Sequence, residues 1–421
     1  VLGHDLTLHP TAFPYGGEAN PFLRYRRLTH AYWLAMEAGV SDDGFVALVS
    51  ELDAAVRRVA GTGFVETPFG ERPELALALG MPQGVSLWVK DETGNVSGSH
   101  KARHLMGLAI LGEVASRLGA KSEARLAIAS CGNAALAAAT VARAWNKPLD
   151  VMIPEDANPL VVRALEQLGA HIEICPRSAG VPGDPCYLSF RERVKAGSVP
   201  FSCQGPDNGL TIEGGETLGW EMISVLHREG RRVGRLFLQV GGGALASACI
   251  AAYRDARVPL PKIHAVQTAG AFPLARAWQR VASWFAERVG MDPSADPSSL
   301  AREMALHPTD TAICVEHAAK HRREVMWPWE TPPVSVAHGI LDDETYDWLE
   351  VVRGMVETGG FPLTVSEDDL TQANELARAS TGIDVDETGS SGLAGLFALS
   401  RVTELDEKET IGVIFSGKRR S

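Results

Sequence analysis

Long apolar runs, paired cysteines and an excess of basic charge are all missing from this sequence, and each absence removes a class of function. Although 45% of the 421 residues are hydrophobic, no run approaches the roughly 20 apolar residues that a membrane-crossing helix needs. The six cysteines (Cys131, Cys175, Cys186, Cys203, Cys249 and Cys314) are scattered without any C-x-x-C spacing. That pattern argues against a disulfide framework or a zinc site and for a reducing compartment. Forty Lys and Arg stand against 52 Asp and Glu, a net charge of −12, and such a surface repels nucleic-acid phosphates and anionic lipid. The one basic run, Lys418-Arg419-Arg420, is too short to reverse this. The opening stretch VLGHDLTLHP has His, Asp and Pro where a signal peptide carries a basic and then an apolar segment. A cytoplasmic protein with neither nucleic-acid nor membrane partners is expected.

What the sequence does have is alternation. Short apolar runs (VSLWV, ARLAIAS, LDVMIP, HIEIC, RLFLQV, KIHAVQT, TIGVIFS) are separated for the most part by helix-like stretches such as AALAAATVARAWN and ALASACIAAYRDA. This is the pattern of parallel β-α-β units, so the fold class is α/β. Ahead of them, SDDGFVALVSELDAAVRRVAG predicts a helix with Ser41 as N-cap, Asp42 and Asp43 in the first turn and Gly61 at the stop. Between Phe272 and Pro333 the alternation lapses. That stretch holds Trp278, Trp284, Trp327 and Trp329 and predicts a helical insertion over the sheet, a lid or a subunit interface.

Four polar stretches follow predicted strands at their C-terminal ends, where ligands gather in α/β sheets. Gly241-Gly242-Gly243-Ala244-Leu245 joins RLFLQV to a helix. Its glycines permit close backbone approach, and its free amides at a helix start suit a phosphate. No Lys-Ser/Thr follows, which excludes a Walker loop. A G-x-G-x-x-A dinucleotide reading wants an acid at the end of the next strand, which instead ends in Gln267-Thr268. Ser130-Cys131-Gly132-Asn133-Ala134 can cap a helix or hold a substrate carboxylate. Lys101, in DETGNVSGSHKAR, can be a solvated lysine at a helix start or a covalent amine. Ser416 brings a hydroxyl to the end of a buried-looking strand.

An amine, an anion loop, a carboxylate loop and a lone hydroxyl match the needs of a pyridoxal phosphate site. In order along the chain, KDE…GSHKAR, SCGNAALAAA, QVGGGALA and a terminal FSG resemble the fold-type II pyridoxal-phosphate enzymes. This is the family of tryptophan synthase β, threonine synthase, serine/threonine dehydratase and cysteine synthase. LEQLGAHIEIC, GLTIEGGETLGWEM, AHGI…VETGG and DVDETGSSGLAGL extend the likeness, which runs from about Thr62 to Ser416. The pattern is most similar to serine/threonine dehydratase and threonine synthase.

The resemblance implies two lobes, each a mostly parallel twisted sheet flanked by helices. Residues 1–102 and 201–421 would form the large cofactor lobe, with the insertion at about 272–333, and residues 103–200 a small mobile lobe. It further implies that Lys101 forms a Schiff base with pyridoxal 5'-phosphate and that Asn133 hydrogen-bonds its 3′ oxygen. Gly241, Gly242, Gly243, Ala244 and Leu245 would cup the phosphate, and Ser416 would face the ring nitrogen. Ser130, Gly132, Asn133 and Ala134 would receive the substrate carboxylate, and His100 would contact the phosphate or simply pack. His100 departs from the dehydratases, which have phenylalanine before the lysine, and is similar to tryptophan synthase β.

The activity implied is an amino-acid lyase of the ammonia-lyase type acting through an aminoacrylate. The alternatives are a β- or γ-replacement synthase of the same fold and a non-catalytic sensor that keeps the pocket. A homodimer is expected from the resemblance alone. His317 and His321, spaced i, i+4, lack a third ligand in the sequence, so no metal site is assigned.

Overall fold

The computed structural model describes residues 12–120, 123–177, 183–401, 405–406 and 408–420. The stretch read for a targeting signal, residues 1–10, lies outside them. Ten strands occur among the described residues. The first five are β1 (Phe69–Glu71), β2 (Ser86–Asp91), β3 (Leu126–Ala129), β4 (Leu149–Ile153) and β5 (His171–Ile174). The others are β6 (Val199–Pro200), β7 (Arg235–Gln239), β8 (Lys262–Thr268), β9 (Leu363–Val365) and β10 (Thr410–Phe415). Each of the seven apolar runs picked out above overlaps a strand, and KIHAVQT is β8 to the residue.

The contacts divide the chain into two compact units. The first comprises the residues up to Thr67 with Gly94–Val225 and Arg420, the second Pro68–Thr93 with Leu226–Arg419. The segment expected as a small lobe, 103–200, falls wholly inside the first unit. That unit also takes in the residues on either side of the segment, including the helix Asp42–Ala60. This helix starts as its sequence dictates: the Ser41 side chain accepts from the Gly44 amide, and Gly61 closes it in the left-handed conformation.

The first unit is built on a four-stranded parallel sheet in the order β5-β4-β3-β6. The second is built on six strands in the order β1-β2-β10-β7-β8-β9, parallel except for β1. Its central strands are buried along their whole length, as near-continuous apolar runs require in a sheet covered on both faces. One cover is the helix Glu387–Ser400, from the DETGSSGLAGL motif. Its glycines let it lie against the strands: a β-carbon on Gly392 would come 2.8 Å from the Phe237 carbonyl oxygen, and one on Gly389 2.9 Å from that of Ser416.

The expected insertion is helical: Pro273–Val289, Pro297–Leu306, Pro308–Lys320 and a turn at Arg322–Val325. Trp278 is core, fully buried on the first of these. Trp327 and Trp329 do something else. Both rings lie against the Arg276 guanidinium, 3.8 and 4.9 Å from it, while Glu330 accepts from Arg276 at 2.9 Å.

Candidate active site

In the first unit, Gly94 begins a loop that must turn sharply before Lys101. Ser97 at φ 58° and Gly98 at φ 76° take the left-handed conformation in succession, and the Asn95 amide donates to the Ser99 carbonyl at 3.1 Å. The helix Lys101–Arg117 then begins with the Lys101 amide 3.4 Å from Ser99 Oγ. The Lys101 side chain is half-buried, and the residues around it are not ordinary surface.

Two residues on, Arg103 is fully buried and meets Glu221, also fully buried, through two hydrogen bonds at 2.8 and 3.0 Å. Thr217 and Thr67 each accept from the same guanidinium at 3.1 Å. Charge and hydrogen bonds are thus matched together, the condition for tolerating a buried ion pair. The GLTIEGGETLGWEM motif supplies the other side of the contact. A β-carbon on Gly214 would strike the Arg103 carbonyl oxygen, and one on Gly215 would strike the His104 ring.

His100, the cap residue before this helix, and His104 on it flank Lys101, both buried, with ring centroids 5.7 Å apart. Burial, followed by the positive charge of Lys101, holds the His100 imidazole well below its usual titration range. The same causes bring His104 down to about 3. His104 Nδ1 lies 2.9 Å from the Thr211 carbonyl. A carbonyl only accepts, so Nδ1 carries the proton and the ring is neutral.

The carboxylate-loop candidates follow β3. Ser130 Oγ turns back to the Gly132 amide at 3.4 Å, and Cys131 is exposed at the crest. Gly132 opens the helix Asn133–Ala144 without a side-chain cap. Asn133 Oδ1 is out of solvent and has no hydrogen-bond partner among the described residues. The helices bearing Lys101 and Asn133 pack against each other.

In the second unit, β7 and β10 are parallel neighbours, so both deliver their following residues to one edge of the sheet. After β7 come Gly241, Gly242 and Gly243; after β10 comes Ser416, buried. Gln239 ties the two ends together, its amide donating to the Ile414 and Gly389 carbonyls at 3.1 Å. Gly243, at φ 98°, opens the helix Ala244–Asp255 with no side-chain cap. The loop's other face is covered by residues 340–347. A β-carbon on Gly241 would collide with the Asp342 carboxylate and lie 2.9 Å from the Ile340 Cα. On Gly242 it would sit 3.1 Å from the Tyr346 ring, and on Gly243 3.1 Å from Thr345 Cγ2.

The residues therefore suit pyridoxal phosphate unit by unit. The first offers a half-buried amine and an amide whose buried oxygen is unmet; the second offers an uncapped glycine turn at a helix start and a buried hydroxyl. Sequence reasoning did not find the Arg103–Glu221 pair, because 118 residues separate its partners. It also found no third group beside His317 and His321. The Glu324 carboxylate is that group, 3.8 Å from His317 Nε2, and all three are exposed.

Residues 62–321 match the family described as "Pyridoxal-phosphate dependent enzyme". The human protein "Serine dehydratase-like" is 30% identical over 211 residues, 49% of this chain and 57% of that protein. The match thus spans less than two thirds of that relative's own length. The structure of a threonine deaminase from T.th. superposes with a TM-score of 0.59 at 23% identity, covering 88% of this chain and 98% of that one. Maize serine racemase gives 0.58 at 18% identity, with 89% and 94% covered. At these identities the likeness is one of fold. Among the described residues no helix is long and apolar enough to cross a membrane.

Proposed function

Because the chain belongs to the pyridoxal-phosphate-dependent enzyme family, with pyridoxal 5'-phosphate as its cofactor, we propose that it is an amino-acid lyase of the dehydratase type, releasing ammonia. The cofactor supplies an electron sink for the charge left on Cα when its proton departs. The Lys101 amine would hold the cofactor, and its Nζ, when free, would take the Cα proton. Asn133 and Ser416 hold the ring from its 3′ oxygen and its nitrogen. The amides of Gly241, Gly242, Gly243, Ala244 and Leu245 would hold the phosphate, with His100 beside it. Ser130, Gly132, Asn133 and Ala134 receive the substrate carboxylate. In this reading residues 103–200 are the mobile lobe that carries that loop, and the enzyme works as a cytoplasmic homodimer.

The observation that carries elimination is Ser416. A neutral hydroxyl, buried at the end of β10, does not enforce protonation of the ring nitrogen as a carboxylate would. A milder electron sink suits a substrate whose β-substituent leaves at once. The curated relatives named for serine dehydration point the same way.

The purified protein, given L-serine, L-threonine and related amino acids without any second nucleophile, is expected to release ammonia and keto acid steadily. Lys101→Ala is expected to lose the reducible linkage to the cofactor together with this release. Product formed only when a nucleophile is added, only from a phosphorylated substrate, or only as the opposite enantiomer would sink the lyase reading.

A further inference from the structure

We infer that Gln267 is a positioning residue for the phosphate loop, and that its side-chain amide sets how strongly the protein distinguishes a phosphorylated cofactor from its dephosphorylated form. The inference rests on the assignment of Gly241–Leu245 as the phosphate cup. Gln267 sits near the end of β8, beside the strand that delivers the loop, and is almost completely buried. A buried amide is costly unless each end is matched, and here each end is matched twice. Its oxygen accepts from the Leu274 and Ala275 amides at 2.9 and 3.1 Å, in the first turn of the helix Pro273–Val289, whose N-cap residue Phe272 offers no side-chain acceptor. Its nitrogen donates to the Val240 carbonyl at 3.3 Å and to Thr345 Oγ1 at 3.4 Å.

Both nitrogen contacts lead to the glycines. Val240 is the residue before Gly241, and its own amide is held by the Val266 carbonyl at 2.9 Å. Thr345 places its methyl where a β-carbon of Gly243 would be crowded, and two residues later the Asp347 amide donates to the Gly242 carbonyl at 2.9 Å. One amide thus fixes the approach to the loop and one of the residues that brace its far face. Glutamate, the acid a dinucleotide fold would want at the end of this strand, could satisfy Leu274 and Ala275. It would turn an acceptor toward the Val240 carbonyl, where a donor is required.

The test is equilibrium dialysis of the apoprotein against pyridoxal 5'-phosphate and, separately, against pyridoxal. The ratio of the two affinities reports the phosphate contacts, and a general loss of fold does not move it. Gln267→Leu, which removes all four hydrogen bonds, and Gln267→Glu, which removes the two donated ones, are expected to reduce the wild-type ratio about tenfold, and Thr345→Val, which removes one, about threefold. Binding of pyridoxal itself should stay within about twofold of wild type. Ratios unchanged in both Gln267 variants overturn the inference, as does equal weakening of both ligands. If Gln267→Leu does not fold, Gln267→Glu and Thr345→Val read the same ratio. A wild type with no preference for the phosphorylated form would instead overturn the assignment of the loop, so the two failures are distinguishable.

Discussion

The two units hold their candidate site residues by different physics. Around Lys101 the work is done by side chains: a buried Arg103–Glu221 pair, two threonines and two neutral histidines. Around Gly241–Gly243 it is done chiefly by close packing. A left-handed glycine, a helix start without a side-chain cap and a bracing segment fill the space that β-carbons would need. A region of the first kind is vulnerable to loss of charge balance, one of the second kind to added volume. Substitutions chosen for each vulnerability separate the two.

The largest effect belongs to the ion pair. Glu221→Leu leaves the Arg103 guanidinium buried with its main partner gone, expected to cost about 3–5 kcal/mol, read as a lower midpoint in urea. A variant replacing both partners by apolar residues should recover much of that loss. If it is as unstable as the single variant, packing rather than charge governs this region. Next comes Gly241→Ala, whose methyl meets the Asp342 carboxylate and the Ile340 backbone. An overpacking cost of about 1–3 kcal/mol is expected. Gly242→Ala meets the Tyr346 ring at 3.1 Å and Asp342 Oδ1 only at 3.9 Å, side chains that can yield, and should cost clearly less. Equal losses at the two positions would erase the distinction between backbone and side-chain bracing.

Smallest at neutral pH, and growing only as pH falls, is a titration present in both regions. His104 in the first unit and His264 in the second are each brought down to about 3, chiefly by burial. His264 is stacked on Phe237 and edge-on to Phe361. The unfolded chain takes up these protons near the ordinary value of 6.5, and the native one does so only near 3. Their contribution is therefore whole above 6.5 and is withdrawn as pH falls toward 3, by about 1.4 kcal/mol per pH unit for each histidine. His264→Phe should flatten the fall in stability between about pH 6 and 4 by one proton. An unchanged slope would mean that His264 is protonated in the native state.

The long strands and their following loops were legible because a buried parallel strand needs a continuous apolar run, and each run ended at a polar loop. The strands that escaped, β1, β6 and β9, are two or three residues long and carry no such run. Lys101, Asn133, the triple glycine and Ser416 were visible as ordered motifs. Arg103 lay inside one of those motifs, yet its meaning depends on Glu221, and nothing local announces a partner 118 residues away. Gln267 was noticed only for failing to be an acid. Of its four hydrogen bonds, the one to Val240 arises from β8 lying beside β7, which only the sheet order reveals.

The covering of Gly241, Gly242 and Gly243 by residues 340–347 makes two distant stretches of sequence a single structural part. Transplanting QVGGGALA alone into another scaffold would carry the loop without the surface it was shaped against. Grafting a bulkier or repositioned AHGILDDETYD stretch onto this chain would press on glycines with no side chain to give way. Recombination between relatives should therefore tolerate crossovers outside the span from Gln239 to Asp347 better than crossovers within it.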